Sequence, residues 1–577
     1  MQDNCWTKQN ESTIKINQRK NRKSIVNERN GGLSMKRHKS QKPKETIRKI
    51  KCFLKKVNLT VFEHELKNAD EFYSILLQIE GSTLFVNGKG TTAEYARASA
   101  YGELMERILT GILFRYQLIT PKALIHQDQN FHFNDVYNMK ESDRFVGKKI
   151  SKQDALLIQQ YFFSTNAESL VMESYRELQK NKMVAVPIAL VDAMYSSNGM
   201  AYGNDFYEAS VQAMSEIFER YVNRKILIEE EAPPVLTDWQ KYVDVELTNK
   251  IEKLLKRYQL TLEVRDCSDG GKYPVVGVVL RNQNNHYFVK FGAHFDFTVA
   301  LERCFTELFQ GRNMTMDFWK TPLYENSNEF IQRNLERVMK DGDGFYPATF
   351  FEQPKQQDKL LFFFGNSNKE AYTMFLNQLK AFNTPVYFKD YTVADHTVVR
   401  YIVPEVSNVN VDIMQVKSWY QDSFYQTETL INFLERPSEE RIQFFDYLEQ
   451  KQIEDSQLIQ HLMKRPVSFN SSFNYLTVHY LKGIHFILDR QFDLAEKYFM
   501  DHTVLVKNFR VLKENQDQIK TQKQLVKLIE SILYYPKEQM GDLYVGDRKI
   551  TYSNAVEEIQ RKVLIGLNAV GKVRETG

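Results

Sequence analysis

The sequence predicts an α+β domain followed by an all-α C-terminal domain, on three observations. Strand-like and helix-like segments alternate up to about residue 415. Beyond that residue the strand patterns fade and long amphipathic helices dominate. At 577 residues the chain is too long for a single hydrophobic core. We therefore expect a basic, disordered tail at 1–34, an α+β domain at 35–415 and a helical interaction domain at 416–577.

The elements of the α+β domain follow from hydrophobic period and turn residues. The segment 87–90, Asn-Gly-Lys-Gly, is predicted to be a turn that ends a strand, with Thr91 or Thr92 as the cap of the next helix. This order of strand, turn and helix recurs twice. The predicted elements, in chain order, are a helix over 44–57, strands over 72–79 and 83–86, the turn 87–90, a strand over 183–191, the turn 197–199, a helix from about 205, strands over 273–280 and 286–291, a helix from about 297, and strands over 360–364, 386–388 and 398–403.

The C-terminal part contains one pattern typical of a helical hairpin. Segments 475–489 and 494–499 have helical period, and Gly483, Phe486, Ala495 and Phe499 stand at positions usual for a tetratricopeptide-like unit. A plain helical bundle is the alternative. Either arrangement favours an interaction module.

Basic residues concentrate at the N-terminus, although the formal net charge of the whole chain is only +4. Residues 1–56 contain 17 Lys or Arg against 4 Asp or Glu. Such an arm can contact ribosomal RNA or another polyanion, and the alternative is a disordered, solvated tail. Met35, which precedes another cluster of basic residues, is an alternative start to Met1.

Neither a membrane span nor a secretory signal is expected, because the sequence has no apolar run of about 18 residues and no apolar segment at its basic N-terminus. The four cysteines form no C-x-x-C pair. These features fit a cytoplasmic protein.

Three stretches place carboxylates at helical spacing inside otherwise apolar helices. They are Ser99-x3-Glu103-x2-Glu106-Arg107, Asn204-x3-Glu208-x3-Gln212-x3-Glu216-x2-Glu219-Arg220 and Arg303-x3-Glu307-x2-Gln310-x-Arg312. Residues three and four apart share one face of a helix, so each stretch projects its polar groups in one direction. If the fold brings the three faces together, their carboxylates repel one another unless cations lie between them. Hard divalent cations with a phosphate ligand suit such a cluster, so the sequence predicts a nucleotide and magnesium site.

Other interpretations have less support. A single Glu-x-x-Glu pair usually lies on a solvated face, but no lysine follows any glutamate of the second stretch by four residues to form the usual surface pair. The signatures of serine hydrolases, zincins and Rossmann folds are absent, and Thr83 stands where a P-loop needs glycine. His294 is either a proton carrier or a structural histidine at a helix entrance.

The three stretches, together with Asn87-Gly88-Lys89-Gly90 and Gly292-Ala293-His294, resemble the YcaO family of ATP-dependent enzymes that modify peptide backbones. The resemblance spans about residues 35–415. The segments 197–200 and 270–275 and the helical C-terminal extension are similar to the founding subgroup. Members of that subgroup are described as accessory factors in the β-methylthiolation of an aspartate in a small-subunit ribosomal protein.

The resemblance implies ATP and Mg²⁺ as cofactors and assigns residues to both, with no side chain as nucleophile. The implied magnesium ligands are Glu103, Glu106, Glu208, Glu216, Glu219 and Glu307. The implied ATP contacts are Ser99, Asn204, Gln212, Arg220, Arg303, Lys39 and Thr46. Azoline-forming members usually end in a proline-rich tail, whereas 572–577 contains no proline, which argues against heterocycle formation.

The implied activity is activation of a peptide backbone amide by phosphorylation, as an accessory factor for methylthiolation. The implied partners are a peptide or protein substrate, a ribosomal protein, a methylthiotransferase and a second copy of the chain. Two alternatives remain open. One is an enzyme that forms a thioamide, azoline or amidine in a ribosomally synthesised peptide, and the other is a non-catalytic scaffold.

Overall fold

The computed structural model describes most of the chain. The described residues are 38–69, 72–80, 84–115, 131–134, 139–163, 169–230, 232–309, 319–324, 328–342, 344–352, 354–361, 364–410, 412–459, 462, 476–500, 503–532, 541–545 and 548–552. The predicted tail at 1–34 and the residues Gln310 and Arg312 of the third stretch lie outside them. None of the helices within these ranges combines the length and the apolar character that crossing a bilayer requires.

Helices and strands alternate through the first 400 residues, and helices predominate after them. The α-helices are α1 (Pro43–Lys56), α2 (Ala93–Leu109), α3 (Ile112–Arg115), α4 (Met139–Val146), α5 (Lys152–Phe163), α6 (Ile188–Tyr195), α7 (Phe206–Glu229), α8 (Val245–Tyr258), α9 (Phe297–Phe309), α10 (Asn328–Asp341), α11 (Asn368–Lys380), α12 (Ile413–Ile431), α13 (Ser438–Gln450), α14 (Val478–Leu488), α15 (Phe492–Glu496), α16 (Thr503–Glu514) and α17 (Gln522–Ile532). The strands are β1 (Val61–Ala69), β2 (Phe72–Ile79), β3 (Phe85–Gly90), β4 (Phe131–Asn134), β5 (Leu170–Glu177), β6 (Lys182–Pro187), β7 (Met200–Gly203), β8 (Val235–Leu236), β9 (Thr261–Asp266), β10 (Val275–Arg281), β11 (Tyr287–Ala293), β12 (Gln356–Gln357), β13 (Tyr387–Asp390), β14 (Thr397–Ile402), β15 (Gly541–Val545) and β16 (Arg548–Tyr552).

The strands up to residue 402 form three sheets. The first is an antiparallel sheet of order β1-β2-β3, and the second has the order β11-β10-β9-β8-β12. The third has the order β4-β5-β13-β14-β7, with β6 paired to β5. One strand of each sheet leads directly into a helix that carries glutamates, namely β3 into α2, β11 into α9 and β7 into α7. The three acidic helices therefore start from three different sheets.

Local capping fixes where these helices begin. The Thr92 side chain accepts a hydrogen bond from the Tyr95 N–H at 3.3 Å, and Asp205 accepts one from the Glu208 N–H at 2.8 Å. At α9, Asp296 accepts from the Thr298 N–H at 2.9 Å. Each cap satisfies a backbone donor that the first turn of a helix leaves free. The predicted starts of the three acidic helices are therefore confirmed.

Some predicted elements were wrong. The segment 87–90 is not a turn but the end of β3, because Gly88 and Gly90 lie against a helix rather than at a bend. Residues 188–191 belong to α6 rather than to a strand, because all eight residues of α6, Asp192 included, are buried, and a helix buried on every side has no amphipathic period. Residues 360, 361 and 364, the described part of another predicted strand, are not in a strand, and β1 was not predicted.

The C-terminal region is helical, as predicted, with its own hydrophobic cluster between Leu430 and Ile529. Helix α12 joins it to the rest, since Ile413 and Val416 pack in a cluster with α5 and α6. Gly483 allows the close approach of α14 to Phe499, because an added Cβ would lie 2.7 Å from its ring. Strands β15 and β16 form an additional antiparallel pair. We propose the domain limits 35–415 and 416–577, and a tetratricopeptide-like module, on this basis.

A buried ion pair is expected to stabilise this helical region. Arg441 is buried, pairs with Asp489, and donates from Nε to Nδ1 of His485 at 3.1 Å. We expect Arg441→Met to lower the free energy of unfolding by about 3 kcal/mol, because the partly buried Asp489 carboxylate loses its guanidinium partner and, among the described residues, keeps only Ser438 and His485 beside it. Lys451→Met, which breaks a more exposed pair with Asp422, should cost about 0.5 kcal/mol. Urea denaturation followed by circular dichroism measures both, and equal costs would contradict the prediction.

Candidate functional site

The three acidic helices meet around one cavity of about 480 Å³. It extends along α7, with α2 and α9 on its sides and the segment 38–46 at one end. All thirteen residues that the sequence assigned to magnesium or ATP line it: Lys39, Thr46, Ser99, Glu103, Glu106, Asn204, Glu208, Gln212, Glu216, Glu219, Arg220, Arg303 and Glu307. The predicted convergence of the three helix faces is thus observed, while the role of each residue remains a prediction.

The start of α7 forms the end of the cavity that the segment 38–46 borders. Thr46 donates from its hydroxyl to the side-chain oxygen of Asn204 at 2.8 Å. The Asn204 amide donates to both oxygens of Glu208, at 3.1 and 3.2 Å. Glu208 also pairs with Lys39 Nζ at 3.1 Å and accepts from the Ser40 N–H at 2.9 Å. The segment before α1 is thereby attached to α7 at the predicted ATP contacts.

The middle of the cavity combines carboxylates with arginines. Arg220 Nε donates to Glu216 at 3.2 Å. Arg303 donates to the backbone oxygen of Ala293 at 2.6 Å and to the side chain of Gln212. The Arg303 contacts link the middle of α9 to α7 and to the end of β11. Both guanidinium groups are therefore held where a phosphate between the two helices would meet them.

The carboxylates of α2 face those of α7. Arg107 lies 3.4 Å from Glu103 and 3.7 Å from Glu106. Burial nevertheless raises the pKa of Glu106 to about 8, and the negative charges of Glu103 and Glu216 add to this increase. Carboxylates from separate helices are thus close enough to oppose each other's ionisation.

The carboxylates at the α9 side behave in opposite ways. Burial raises the pKa of Glu219 to about 7, and the charge of Glu307 contributes. Burial alone would also raise the pKa of Glu307, but the ammonium groups of Lys89 and Lys290 hold it below its usual range. Glu307 therefore stays ionised beside its cations, whereas Glu219 is only partly ionised at neutral pH.

The donor set fits Mg²⁺. All six predicted ligands are carboxylates, the ligand that this ion prefers, and one Mg²⁺ usually binds only one or two of them. Their number is therefore suited to more than one ion. Across the described residues, no three His, Cys, Asp or Glu side chains lie close enough to share one metal ion. Lysine and arginine partners hold several of these glutamates, so small side-chain movements must accompany metal binding.

Sequence reasoning missed two lysines in the cavity and left one histidine open. Lys89 pairs with Glu307, and Lys290 donates to the backbone oxygen of Gly342 at 2.5 Å. Lys89 was visible in the 87–90 segment but had no assigned role, and no pattern distinguished Lys290. His294 is buried outside the cavity lining, and its Nδ1 accepts from the Asp296 N–H at 3.0 Å, as a structural histidine at a helix entrance would.

Comparison with known proteins identifies a family. The YcaO cyclodehydratase model, described as ATP- and Mg²⁺-binding, matches residues 87–407, which is more than half of the chain. A relative from Escherichia coli K12, the ribosomal protein S12 methylthiotransferase accessory factor YcaO, is 31% identical over 349 residues, covering 57% of this chain and 58% of that protein. An uncharacterised protein of Haemophilus influenzae is 32% identical over 347 residues, covering 56% and 57%. The chain therefore spans less than two thirds of the length of these relatives.

Solved structures with a similar fold include YcaO from Methanopyrus kandleri bound with AMPPCP and Mg²⁺. It is 19% identical, with a TM-score of 0.42 over 65% of this chain and 94% of that one. A heterocyclase in complex with substrate and cofactor is 16% identical, with a TM-score of 0.45 over 65% and 54%. These values are too low to bear on individual site residues. The family-model match alone covers enough of the chain to assign it, and the chain belongs to the YcaO family of ATP- and Mg²⁺-binding proteins.

Proposed function

We propose that this protein binds Mg²⁺ and ATP in the three-helix cavity and uses ATP to activate a backbone amide of a peptide or protein substrate. The observation that carries the proposal is the convergence of seven glutamates, including the six predicted magnesium ligands, and three arginines, from three separate helices, on one cavity. Structural ion pairs alone do not require so many carboxylates in one place. In a complex of metal ions with phosphate, the metal ions can bind the glutamates and the phosphate can bind the arginines.

The residues of the cavity have distinct roles in the proposal. The six glutamates would hold Mg²⁺, which supplies charge neutralisation for the transferred phosphoryl group. Thr46 and Asn204, which are hydrogen-bonded to each other at the start of α7, bind the nucleoside end together with Ser99 of α2. Arg220 and Arg303 orient the phosphates further along the same helix. With the nucleoside at the start of α7 and the phosphates further along this helix, the γ-phosphate lies towards the α9 side of the cavity.

The proposed phosphoryl transfer depends on how the cavity positions ATP and the substrate amide. An amide oxygen is a weak nucleophile, but it can attack the γ-phosphorus when both reactants are held in line and water is excluded. The new bond joins the amide oxygen to phosphorus, the bond from phosphorus to the β,γ-bridging oxygen breaks, and ADP leaves with the electron pair. A second nucleophile adds to the former carbonyl carbon, and inorganic phosphate departs with the original amide oxygen. No side-chain nucleophile is needed, which agrees with the absence of a nucleophile–base pair among the assigned residues.

The name of the Escherichia coli relative supports a role as accessory factor in β-methylthiolation of a ribosomal protein. In this role the partners are the ribosomal protein and a methylthiotransferase, docked by the helical C-terminal region of a cytoplasmic homodimer. The cyclodehydratase description of the family model favours a second candidate, tailoring of a small peptide. ATP turnover measured with and without each partner discriminates them. Stimulation by the ribosomal protein and methylthiotransferase supports the first candidate, and stimulation only by a short precursor peptide supports the second.

Magnesium binding should release protons and weaken as the pH falls. In the metal-free protein the pKa of Glu106 is about 8 and that of Glu219 about 7, so both carry a proton at about pH 6. Because a carboxyl group must lose its proton to bind metal, the apparent affinity should fall by up to about tenfold per pH unit for each displaced proton. Titration calorimetry in buffers of different ionisation enthalpy measures the release. Proton release at about pH 6 that vanishes at about pH 9 agrees with the proposal, and an affinity independent of pH contradicts it.

A further inference from the structure

We propose that Lys89 is an exchangeable cation: its ammonium group neutralises Glu307 in the metal-free protein and moves to a phosphate of the nucleotide when Mg²⁺ takes its place. This inference rests on the proposed function and adds a phosphate-binding residue to it. Lys89 belongs to none of the three acidic stretches.

The backbone around Lys89 explains why glycines flank it. A Cβ on Gly88 would lie 2.2 Å from the Ala100 nitrogen, and one on Gly90 would lie 2.6 Å from the Ala96 nitrogen. Both glycines therefore face α2 and let β3 lie directly on that helix. Side chains alternate along a strand, so Lys89 projects to the opposite side. On that side it reaches α9, where it contacts Glu307.

The contact lies inside the cavity rather than in a sealed core. Lys89 Nζ donates to a Glu307 oxygen, and the two side chains are 25% and 29% exposed. Both residues line the cavity beside Glu219 and Arg220. A pair with this access to solvent can exchange one cation for another.

Charge balance favours the exchange. When a carboxylate binds Mg²⁺ strongly, the metal ion neutralises its charge in place of the ammonium group. Two cations at one carboxylate also repel each other. The displaced ammonium remains on a strand that adjoins the cavity, within reach of the negative charge that arrives with ATP. A lysine acts at such a site as a flexible point charge for phosphate.

The exchange predicts opposite effects on two affinities when the charge of Lys89 is removed. In Lys89→Met, metal alone should bind about fivefold tighter, because its competitor for Glu307 is gone. The Mg²⁺–ATP complex should bind about tenfold weaker, because one charged phosphate contact is lost. A merely structural lysine would not shift the two affinities in opposite directions.

The full chain is used for the test. Mn²⁺ replaces Mg²⁺ in the metal-only titration, with free Mn²⁺ measured by electron paramagnetic resonance, and calorimetry measures Mg²⁺–ATP. Lys89→Gln, which keeps a donor for Glu307 without the charge, is the second variant, and circular dichroism checks folding. Lys44→Met is the matched control, because Lys44 is 75% exposed and pairs with Glu94 outside the cavity; neither affinity should change.

Tighter Mn²⁺ binding together with weaker Mg²⁺–ATP binding in both Lys89 variants supports the proposal. Unchanged or weakened Mn²⁺ binding, or unchanged Mg²⁺–ATP binding, in a folded variant overturns it. The wild-type protein separates this inference from the proposed function. If the wild type binds Mg²⁺–ATP and the Lys89 variants fail the test, only the exchange is wrong. If the wild type does not bind Mg²⁺–ATP, the proposed function fails as well.

Discussion

Glu216→Gln combined with Glu219→Gln is expected to weaken binding of Mg²⁺–ATP by at least about 100-fold while the fold survives. Glutamine keeps the size of each side chain but removes two charges from the middle of the cavity. The Glu216–Arg220 pair that is lost is about a quarter exposed on each side and contributes little to stability. Glu219 is a partly buried, partly ionised carboxylate next to Glu307, so removing its charge relieves repulsion in the metal-free state.

Calorimetry with Mg²⁺ and ATP measures the loss, and thermal unfolding of the metal-free variant verifies the fold. Glu439→Gln with Glu440→Gln is the matched control, because it removes two exposed carboxylates from α13 and should leave ATP binding unchanged. ATP binding that survives in the Glu216/Glu219 variant at wild-type strength would contradict the assignment of the cavity.

Gly88→Ala is expected to destabilise the α+β part by about 3 kcal/mol, because the added Cβ would lie 2.2 Å from backbone atoms of both Ala96 and Ala100. Backbone atoms cannot move aside as the end of a side chain can, so β3 and α2 must separate. Helix α2 carries Glu103 and Glu106, and therefore the affinity for Mg²⁺–ATP should fall together with stability.

Urea denaturation of the full chain measures the loss of stability. Gly270→Ala serves as control, since its added Cβ would meet nothing within 4 Å and only its φ of +69° opposes the change, at a cost of about 1 kcal/mol. Equal losses in the two variants would show that β3 and α2 are not in close contact.

Local signals account for what the sequence predicted well. The acidic helices begin as expected because Thr92 and Asp205 cap them within their own first turns. The carboxylate faces were predictable because helical spacing fixes which residues share a side. Their convergence, however, was a hypothesis from the charge of the three faces, since three helices from three sheets carry no local signal for meeting at one cavity.

The missed features depend on tertiary contacts. The glycines of 87–90 have the composition of a turn, and only the packing of β3 on α2 makes them strand residues. Helix α6 is buried all round, so its sequence has no period that distinguishes it from a strand. The partner of Lys89 could not be predicted, because nothing in β3 indicates that α9 passes beside it.

The most direct test of the account is an experimental structure of the protein with Mg²⁺ and a non-hydrolysable ATP analogue. We predict at least one metal ion about 2.1 Å from glutamate oxygens of the three-helix cavity, with the triphosphate between α7 and α9. An analogue bound elsewhere, or one bound in this cavity without metal contact to any of the six glutamates, would contradict the account.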